Sequence, residues 1–219
     1  PTCRAEYLEP LARRYYSQTN SCPSCSIQVE LYDNNQSLLS QSMDEIMEKT
    51  VQYWEAGKIV AIKGIGGYLL TCDASNVLAI KRLRERKYRP KKPFAVMLPN
   101  LKRVKEIVEL TSHEAEVLNA TVMPILLLSL NKETTTTLAI EDIAPQLNQL
   151  GVMLPYTPFF DLLLRSGRNA FGKPIVATSG NISNAPIVFE DEKLSYKAVE
   201  ERSNKVANYL IRKEIQTED

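Results

Sequence analysis

The stretch Lys58-Ile-Val-Ala-Ile-Lys-Gly-Ile-Gly-Gly-Tyr-Leu-Leu-Thr-Cys-Asp-Ala74 decides how this chain folds. Its first apolar run, Lys58–Ile62, is bounded by Gly57 and Gly64, the mark of a short buried strand. The turn Gly64-Ile-Gly-Gly67 leads straight into a second apolar run, Tyr68–Thr71. Upstream, Ser42-Met-Asp-Glu45 reads as a capping box opening a helix with Ile46, Thr50, Val51 and Trp54 on one side and Gly57 closing it. Downstream, Asp73 or Ser75 is expected to cap a helix whose Val77, Ile80 and Leu83 face inward and whose basic residues face out, stopped by Pro90.

Outward from this unit, single helices and strands keep alternating. A helix is expected over about Leu101–Glu109 after Asn100, and Thr111-x-x-Glu114 caps another. Strands are expected at Ile125–Leu130, Thr136–Ile140, Val152–Leu154 and Pro174–Thr178, with a helix at Pro158–Arg165. From Glu190 a helix runs to about Val206, followed by a strand-like Tyr209–Ile215. No internal repeat is visible. The pattern predicts an α/β fold built on a twisted open sheet of mixed direction. Residues 1–35 are polar, Tyr-rich and end in an alternating strand, Ile27–Tyr32, and Asp33–Ser37 breaks the pattern. The expected division is therefore a small appendage over 1–35 and a main domain over 40–219.

Composition narrows the class. With 219 residues, 44% hydrophobic and 24% charged, the chain is neither collagen-like, disordered nor a disulfide scaffold. Its apolar runs, Ile125–Leu128 and Leu162–Leu164 among them, fall far short of the ~20 residues of a membrane span. The start Pro-Thr-Cys lacks an initiator Met, and the chain is expected to be a piece of a longer, cytoplasmic protein. The net charge of +1 hides an asymmetry: eight basic residues and one acid lie between Lys81 and Lys92. Such a cluster is a solvated helix face or an anion-binding surface.

The four cysteines are Cys3, the pair Cys22-Pro-Ser-Cys25, and Cys72 in an apolar element. A C-x2-C knuckle is half of a structural zinc site, and Cys3, Cys22 and Cys25 are its candidate ligands. A cysteine one residue ahead of Pro1 would complete a C-x2-C-x18-C-x2-C pattern, so the zinc site is expected to be incomplete here. Cys72 reads as a core thiol.

Little catalytic apparatus of the acid–base kind is on offer. The single histidine, His113, falls on a helix, and no Ser/His/Asp set can be assembled. Two places instead suit an anionic ligand: the irregular basic segment Lys87-Tyr-Arg-Pro-Lys-Lys92, and the strand Ile175–Thr178 opening into Ser179-Gly-Asn181-Ile-Ser183. Fixed cations with hydroxyl and amide donors make a phosphate-directed site that needs no nucleophile.

Four motifs in order, Lys63-Gly-Ile-Gly-Gly-Tyr68 with Cys72-Asp-Ala74, Leu83-Arg-x-Arg-Lys-x-Arg89 with Lys92-Pro-Phe-Ala-Val-Met97, Gly151-Val-Met-Leu-Pro-Tyr-Thr-Pro158 and Thr178-Ser-Gly-Asn-x-Ser183, closely resemble the YrdC-like domain of the HypF family of carbamoyltransferases, which mature [NiFe] hydrogenases. Cys3-x-Ala-Glu-Tyr-x-x-Pro-x-x-Arg-Arg14 and Cys22-Pro-x-Cys25 look like the second zinc finger that precedes this domain. The resemblance implies a YrdC-like sheet with a concave face that uses ATP and Mg²⁺ to form carbamoyl-AMP from carbamate, itself derived from carbamoyl phosphate. A downstream domain would pass the carbamoyl group to a HypE-like acceptor. By the same resemblance, Lys87 and Arg89 match a K-x-R phosphate clamp and Ser179 and Asn181 an S-x-N nucleotide turn. Lys63, Tyr68, Lys92, Thr157 and Ser183 match or flank further pocket positions. Three positions that usually hold histidine in the family read Leu69, Phe160 and Ile211.

Two other readings compete. Stand-alone YrdC relatives make threonylcarbamoyl-AMP for tRNA modification, which the finger-like segment argues against. A knuckle beside a +7 patch would also suit a basic module for RNA, double-stranded RNA in particular, since Tyr88 is the one aromatic inside the patch and stacking platforms are poor.

Overall fold

The computed structural model describes residues 2–22, 24–131 and 136–181. The N-terminal segment opens with helix α1 (Thr2–Leu8), absent from the sequence expectation, and continues through turns in which Tyr16 packs edge-on against Tyr7 and Tyr15. The strand expected over Ile27–Tyr32 narrows to β1 (Leu31–Tyr32), paired antiparallel with β2 (Leu38–Ser40). Asp33 makes the intervening turn, its Oδ1 accepting the amides of Asn35 and Ser37 at 2.8 Å each.

Helix α2 (Met43–Glu55) forms as expected, with Ile46, Thr50, Val51 and Trp54 buried. The expected capping box does not. Ser42 is the N-cap without a side-chain bond, while Ser40 Oγ donates to Glu45 Oε2 at 2.8 Å and accepts the Ser42 amide. Glu45 pairs two residues further back because β2 ends at Ser40, beside the first turn. Gly57, with φ +67°, closes the helix.

Strands β3 (Val60–Gly64) and β4 (Gly67–Asp73) form a hairpin over the glycine turn. Helix α3 (Val77–Arg86) follows, capped by neither Asp73 nor Ser75: Asn76 Oδ1 accepts the Ala79 amide. Asp73 instead ties down Ser75 in the preceding turn. Val77, expected inward, is 39% exposed, since the helix starts at that residue and its first turn overhangs the core. The next strand, β5 (Ala95–Met97), has three residues and no periodicity to announce it. Helices α4 (Leu101–Lys105) and α5 (Ser112–Leu118) come next, the latter with the complete Thr111–Glu114 capping box.

Strand β6 (Leu126–Ser129) stands where expected, but Thr136–Ile140 is not a strand. Leu138 docks into the core through an irregular segment, and Ile140 begins the short helix α6 (Ile140–Ile143). After β7 (Gln149–Met153), the helix expected at Pro158–Arg165 splits into α7 (Pro158–Asp161) and a π-helical turn, Leu162–Ser166. Strand β8 (Ile175–Ser179) completes the described elements. The helix and strand expected beyond Glu190 lie outside the described residues.

Six strands make one mixed sheet in the order β3-β4-β8-β5-β7-β6, with β5 and β7 parallel and the other pairs antiparallel. Both faces are covered. Cys72, Val96 and Val176 meet α3 to α6 through Ile80, Leu83, Val104, Leu118 and Ile143, while Ile62, Met97, Ile175 and Ala177 meet α2, α7 and the π-turn through Trp54, Phe160 and Leu163. Fully buried Trp54 donates from Nε1 to Thr71 Oγ1 at 3.1 Å, which in turn donates to Val60 O at 2.8 Å. One side chain thus fixes α2 to the β3–β4 hairpin. Among the described residues no helix is long and apolar enough to cross a membrane.

Candidate nucleotide site

The strand register gathers the candidates. Lys63 pairs with Tyr68 and Leu69 with Ser179, so the β3–β4 hairpin and the end of β8 share one end of the sheet. Side chains alternate along strands, and Leu70, Cys72 and Val176 face α3; Lys63, Tyr68 and Thr178 therefore share that face. Lys63 Nζ lies 5.9 Å from the Tyr68 ring centre. The two segments are welded at Gly180, whose amide donates to Tyr68 O at 2.6 Å. A Cβ on Gly180 would lie 2.9 Å from Tyr68 Cβ and 3.0 Å from Tyr68 O, so only glycine permits this approach without displacement.

Helix α3 delivers the cations. It ends in a Schellman pattern: the Arg89 amide bonds Arg84 O and the Tyr88 amide bonds Glu85 O. Tyr88 takes the left-handed position, φ 49°, where glycine is usual. This turn sends Lys87 and Arg89 to different partners. Lys87 is 1% exposed, and its ammonium donates to Ser179 O and Asn181 O at 2.5 Å each and to Asn181 Oδ1 at 3.4 Å. Burial, and then the neighbouring Arg89, pull its pKa down to about 8. Arg89 is half-buried, donating to Lys92 O, Pro93 O and Thr178 Oγ1, with its guanidinium 5.1 Å from the Phe94 ring.

Arg84 was expected to face solvent with the other basic residues; it is 8% exposed. Its guanidinium donates to the carbonyls of Asp142, Ile143, Arg89 and Lys92 at 2.6–3.0 Å and stacks 4.5 Å over Phe94. The basic cluster is therefore not one solvated face. Arg84 and Lys87 point inward and bond carbonyls, which removes two of eight cations from any surface that could meet an RNA backbone. Spacing carried the clue: Ile80, Leu83, Arg84 and Lys87 fall on one helical stripe.

Ser179 Oγ donates to Asn181 Oδ1 at 2.5 Å, closing the S-x-N turn on itself. Lys63 and Lys92 are exposed. The Thr157 hydroxyl accepts the Phe160 amide as the N-cap of α7, which packs on the α2 face of the sheet. Ser183 lies outside the described residues. Tyr156, beside Thr157, approaches the hairpin so closely that a Cβ on Gly64 would lie 2.5 Å from its hydroxyl oxygen.

The second constellation is at the N-terminus. Cys3, Cys22 and Cys25 converge, with Sγ separations of 3.2 Å (Cys3 to Cys25) and 3.5 Å (Cys22 to Cys25). Tetrahedral zinc with bonds of about 2.3 Å sets its sulfurs about 3.8 Å apart, so a few tenths of an ångström would admit the ion. The Cys25 and Ser26 amides bond Cys22 O, and the Cys22 amide bonds Cys25 Sγ, shaping the knuckle. Hydrogen bonds from the Cys3 backbone and then the Cys25 thiol bring the Cys22 thiol down to about 6, whereas Cys3 is raised by its bond with Cys25. The three thiols fit three of the four positions of a structural zinc site. Cys72 is a core thiol, pushed up to about 12 by burial.

The family described as "Telomere recombination" (Sua5, YciO and YrdC) matches residues 52–218, and "HypF finger" matches residues 1–32. Carbamoyltransferase HypF of Rhodobacter capsulatus is 38% identical over 197 residues, 90% of this chain and 25% of that protein. This chain belongs to the HypF family. HypF of Synechocystis is 39% identical over 158 residues, 72% of this chain and 20% of its own length. The chain thus spans about a quarter or less of the curated HypF proteins it matches. Among solved structures, full-length HypF in the phosphate- and nucleotide-bound form superposes with a TM-score of 0.73 at 35% identity, covering 90% of this chain and 25% of that one. HypF of T. kodakarensis gives 0.76 at 34% identity, covering 90% and 24%. YciO of E. coli, 19% identical with a TM-score of 0.53 over 68% of this chain and 69% of its own, shares the fold.

Within this HypF-family fold, two of the unusual positions prove to be neighbours in kind. Leu69 on β4 and Phe160 on α7 both pack into the apolar cluster under α2, Phe160 at 5.5 Å from Tyr156. The site's α3-facing side retains its polar groups. Ile211 lies outside the described residues.

Proposed function

We propose that this chain binds ATP at the Ser179–Asn181 turn and condenses it with carbamate, derived from carbamoyl phosphate, to give carbamoyl-AMP and pyrophosphate. The observation that carries this reading is the meeting, at one sheet end, of the S-x-N turn with the K-x-R segment that follows α3. Relatives named carbamoyltransferase HypF, and a solved HypF with phosphate and nucleotide bound, support it. A carbamate oxygen attacks the α-phosphorus, a new O–P bond forms, and pyrophosphate leaves with the electron pair of the broken bond. Carbamate is already anionic, so the absence of a candidate general base is no obstacle. Arg89, with Lys63 and Lys92, would stabilise charge growing on the phosphoryl oxygens, together with Mg²⁺ brought by the triphosphate. Tyr68 would form one wall. Thr157, whose capping role uses an oxygen lone pair, has its O–H to donate. Ser183 would complete the turn.

In this reading residues 40–219 form the nucleotide-binding domain and residues 1–35 a zinc-binding segment held by Cys3, Cys22 and Cys25. The carbamoyl group would pass on to a HypE-like acceptor in [NiFe] hydrogenase maturation. The test is a pyrophosphate-release assay with ATP, Mg²⁺ and carbamoyl phosphate or carbamate, run beside ATP titration. Ser179→Ala removes the hydroxyl that closes the turn on Asn181 Oδ1, so pyrophosphate release and ATP affinity should fall together, by roughly tenfold, the scale of one hydrogen bond. Release of ADP and phosphate instead of AMP-linked product and pyrophosphate would refute adenylate chemistry.

A further inference from the structure

Lysine carries three protons, and all three have acceptors in this structure. The Lys87 ammonium faces Ser179 O, Asn181 O and Asn181 Oδ1, and its side chain is almost sealed from solvent. A phosphate oxygen could gain a bond from it only by displacing one of these acceptors. We infer that Lys87 is a positioning residue, not a phosphate ligand: it draws the carbonyls of residues 179 and 181 inward and thereby fixes the turn on which nucleotide binds. This inference rests on the nucleotide reading of that turn.

The geometry says what is being held. Asn181 Oδ1 takes the Ser179 hydroxyl proton as well as Lys87, so the Asn181 carboxamide is oriented with its oxygen inward and its amide nitrogen on the other branch. The Asn181 amide bonds Ser179 O and the Gly180 amide bonds Tyr68 O. Three residues are thus tied to α3 on one side and β4 on the other. Without this side chain, two carbonyls and a carboxamide would converge with no donor between them, and the turn would reopen. Among the described residues Arg89 is the charged group facing Lys87, and its side-chain hydrogen bonds run to Pro93, Lys92 and Thr178. Clamping and positioning, which the K-x-R spacing places two residues apart, are then separate tasks.

Two measurements on the full chain test this. The first is acylation of lysines by an N-hydroxysuccinimide ester, read by mass spectrometry with and without ATP. Lys63 and Lys92 should react in the free chain and Lys87 should not, in either state. A Lys87 that reacts in the free chain and is protected by ATP would overturn the inference. The second is titration of ATP, AMP and adenosine against wild type and Lys87→Met. A positioning residue acts on every ligand that uses the turn, so all three affinities should fall by a similar factor of about tenfold or more, at unchanged stoichiometry. Mere misfolding would lower stoichiometry and leave the affinity of the folded fraction intact. An ATP affinity that falls while adenosine binding is preserved would identify a phosphate ligand, and unchanged affinity for all three would equally refute the idea. Should the variant fail to fold, the acylation pattern decides alone. Failure of the wild type to bind any of the three overturns the nucleotide reading itself, a result distinct from either outcome at Lys87.

Discussion

Replacing Arg84 with methionine should destabilise the α/β domain more than any other single change in the basic cluster. The side chain keeps its apolar contact with Phe94, so the loss is confined to hydrogen bonding. Arg84 serves four carbonyls, but two have a second donor: Ile143 O receives the Phe94 amide and Lys92 O receives Arg89 Nε. Asp142 O and Arg89 O lose the donor shown for them. A buried acceptor stripped of its partner costs about 1–3 kcal/mol, and recovering the desolvation penalty of the buried guanidinium offsets part of it. The net loss should be about 3 kcal/mol, a fall in Tm of roughly 6–12 °C for a chain of this size. Trp54, the single tryptophan and fully buried between α2 and the sheet, reports the transition. Urea unfolding followed by its fluorescence should show a lower midpoint with an unchanged slope. Arg84→Lys should fall between the two, since one ammonium cannot reproduce the fork. A loss below about 1 kcal/mol for Arg84→Met would mean that the carbonyls find water, and that Arg84 does not hold the 89–93 segment in place.

The depressed pKa of Lys87 makes stability depend on pH. Below about 8 both folded and unfolded chains carry the proton; between about 8 and the ordinary value of 10.5 only the unfolded chain does, so stability should rise with pH across that window, by up to about 1.4 kcal/mol per unit. Urea midpoints from pH 7.5 to 10 should show this rise in wild type and its loss in Lys87→Met. Gly180→Ala pushes a methyl against Tyr68 and should cost about 1–3 kcal/mol, the usual range for overpacking, and weaken nucleotide binding through the displaced turn. Elemental analysis should find substoichiometric zinc with the chain, since the three thiols supply three of four ligands, and a marked loss in Cys22→Ser or Cys25→Ser, whereas Cys72→Ala should leave zinc content unchanged; equal zinc in all variants would rule out the thiol cluster.

Much of this molecule is written locally. Residues 58–74 specify a hairpin because two apolar runs flank a glycine turn, and Thr111 with Glu114 specify a helix start because both orphan amides find partners within four residues. The cysteine spacing already named the cluster that the fold assembles. What resisted local reading has a common cause. Ala95–Met97 is too short to show a period and becomes a central strand only because β7 and β8 supply its ladders on both sides. Thr136–Ile140 has strand-like residues but, among the described residues, no strand to pair with. Charge was the most misleading guide: by composition Arg84 and Lys87 belong on the surface, and by helical spacing they belong on the core stripe with Ile80 and Leu83. Spacing prevails because the sheet brings carbonyls 58 to 94 residues away, those of Asp142, Ile143, Ser179 and Asn181, to neutralise them. A sequence can announce that a lysine and a turn both exist, but the desolvation of that lysine is tolerable only once the tertiary fold has placed the turn's oxygens around it.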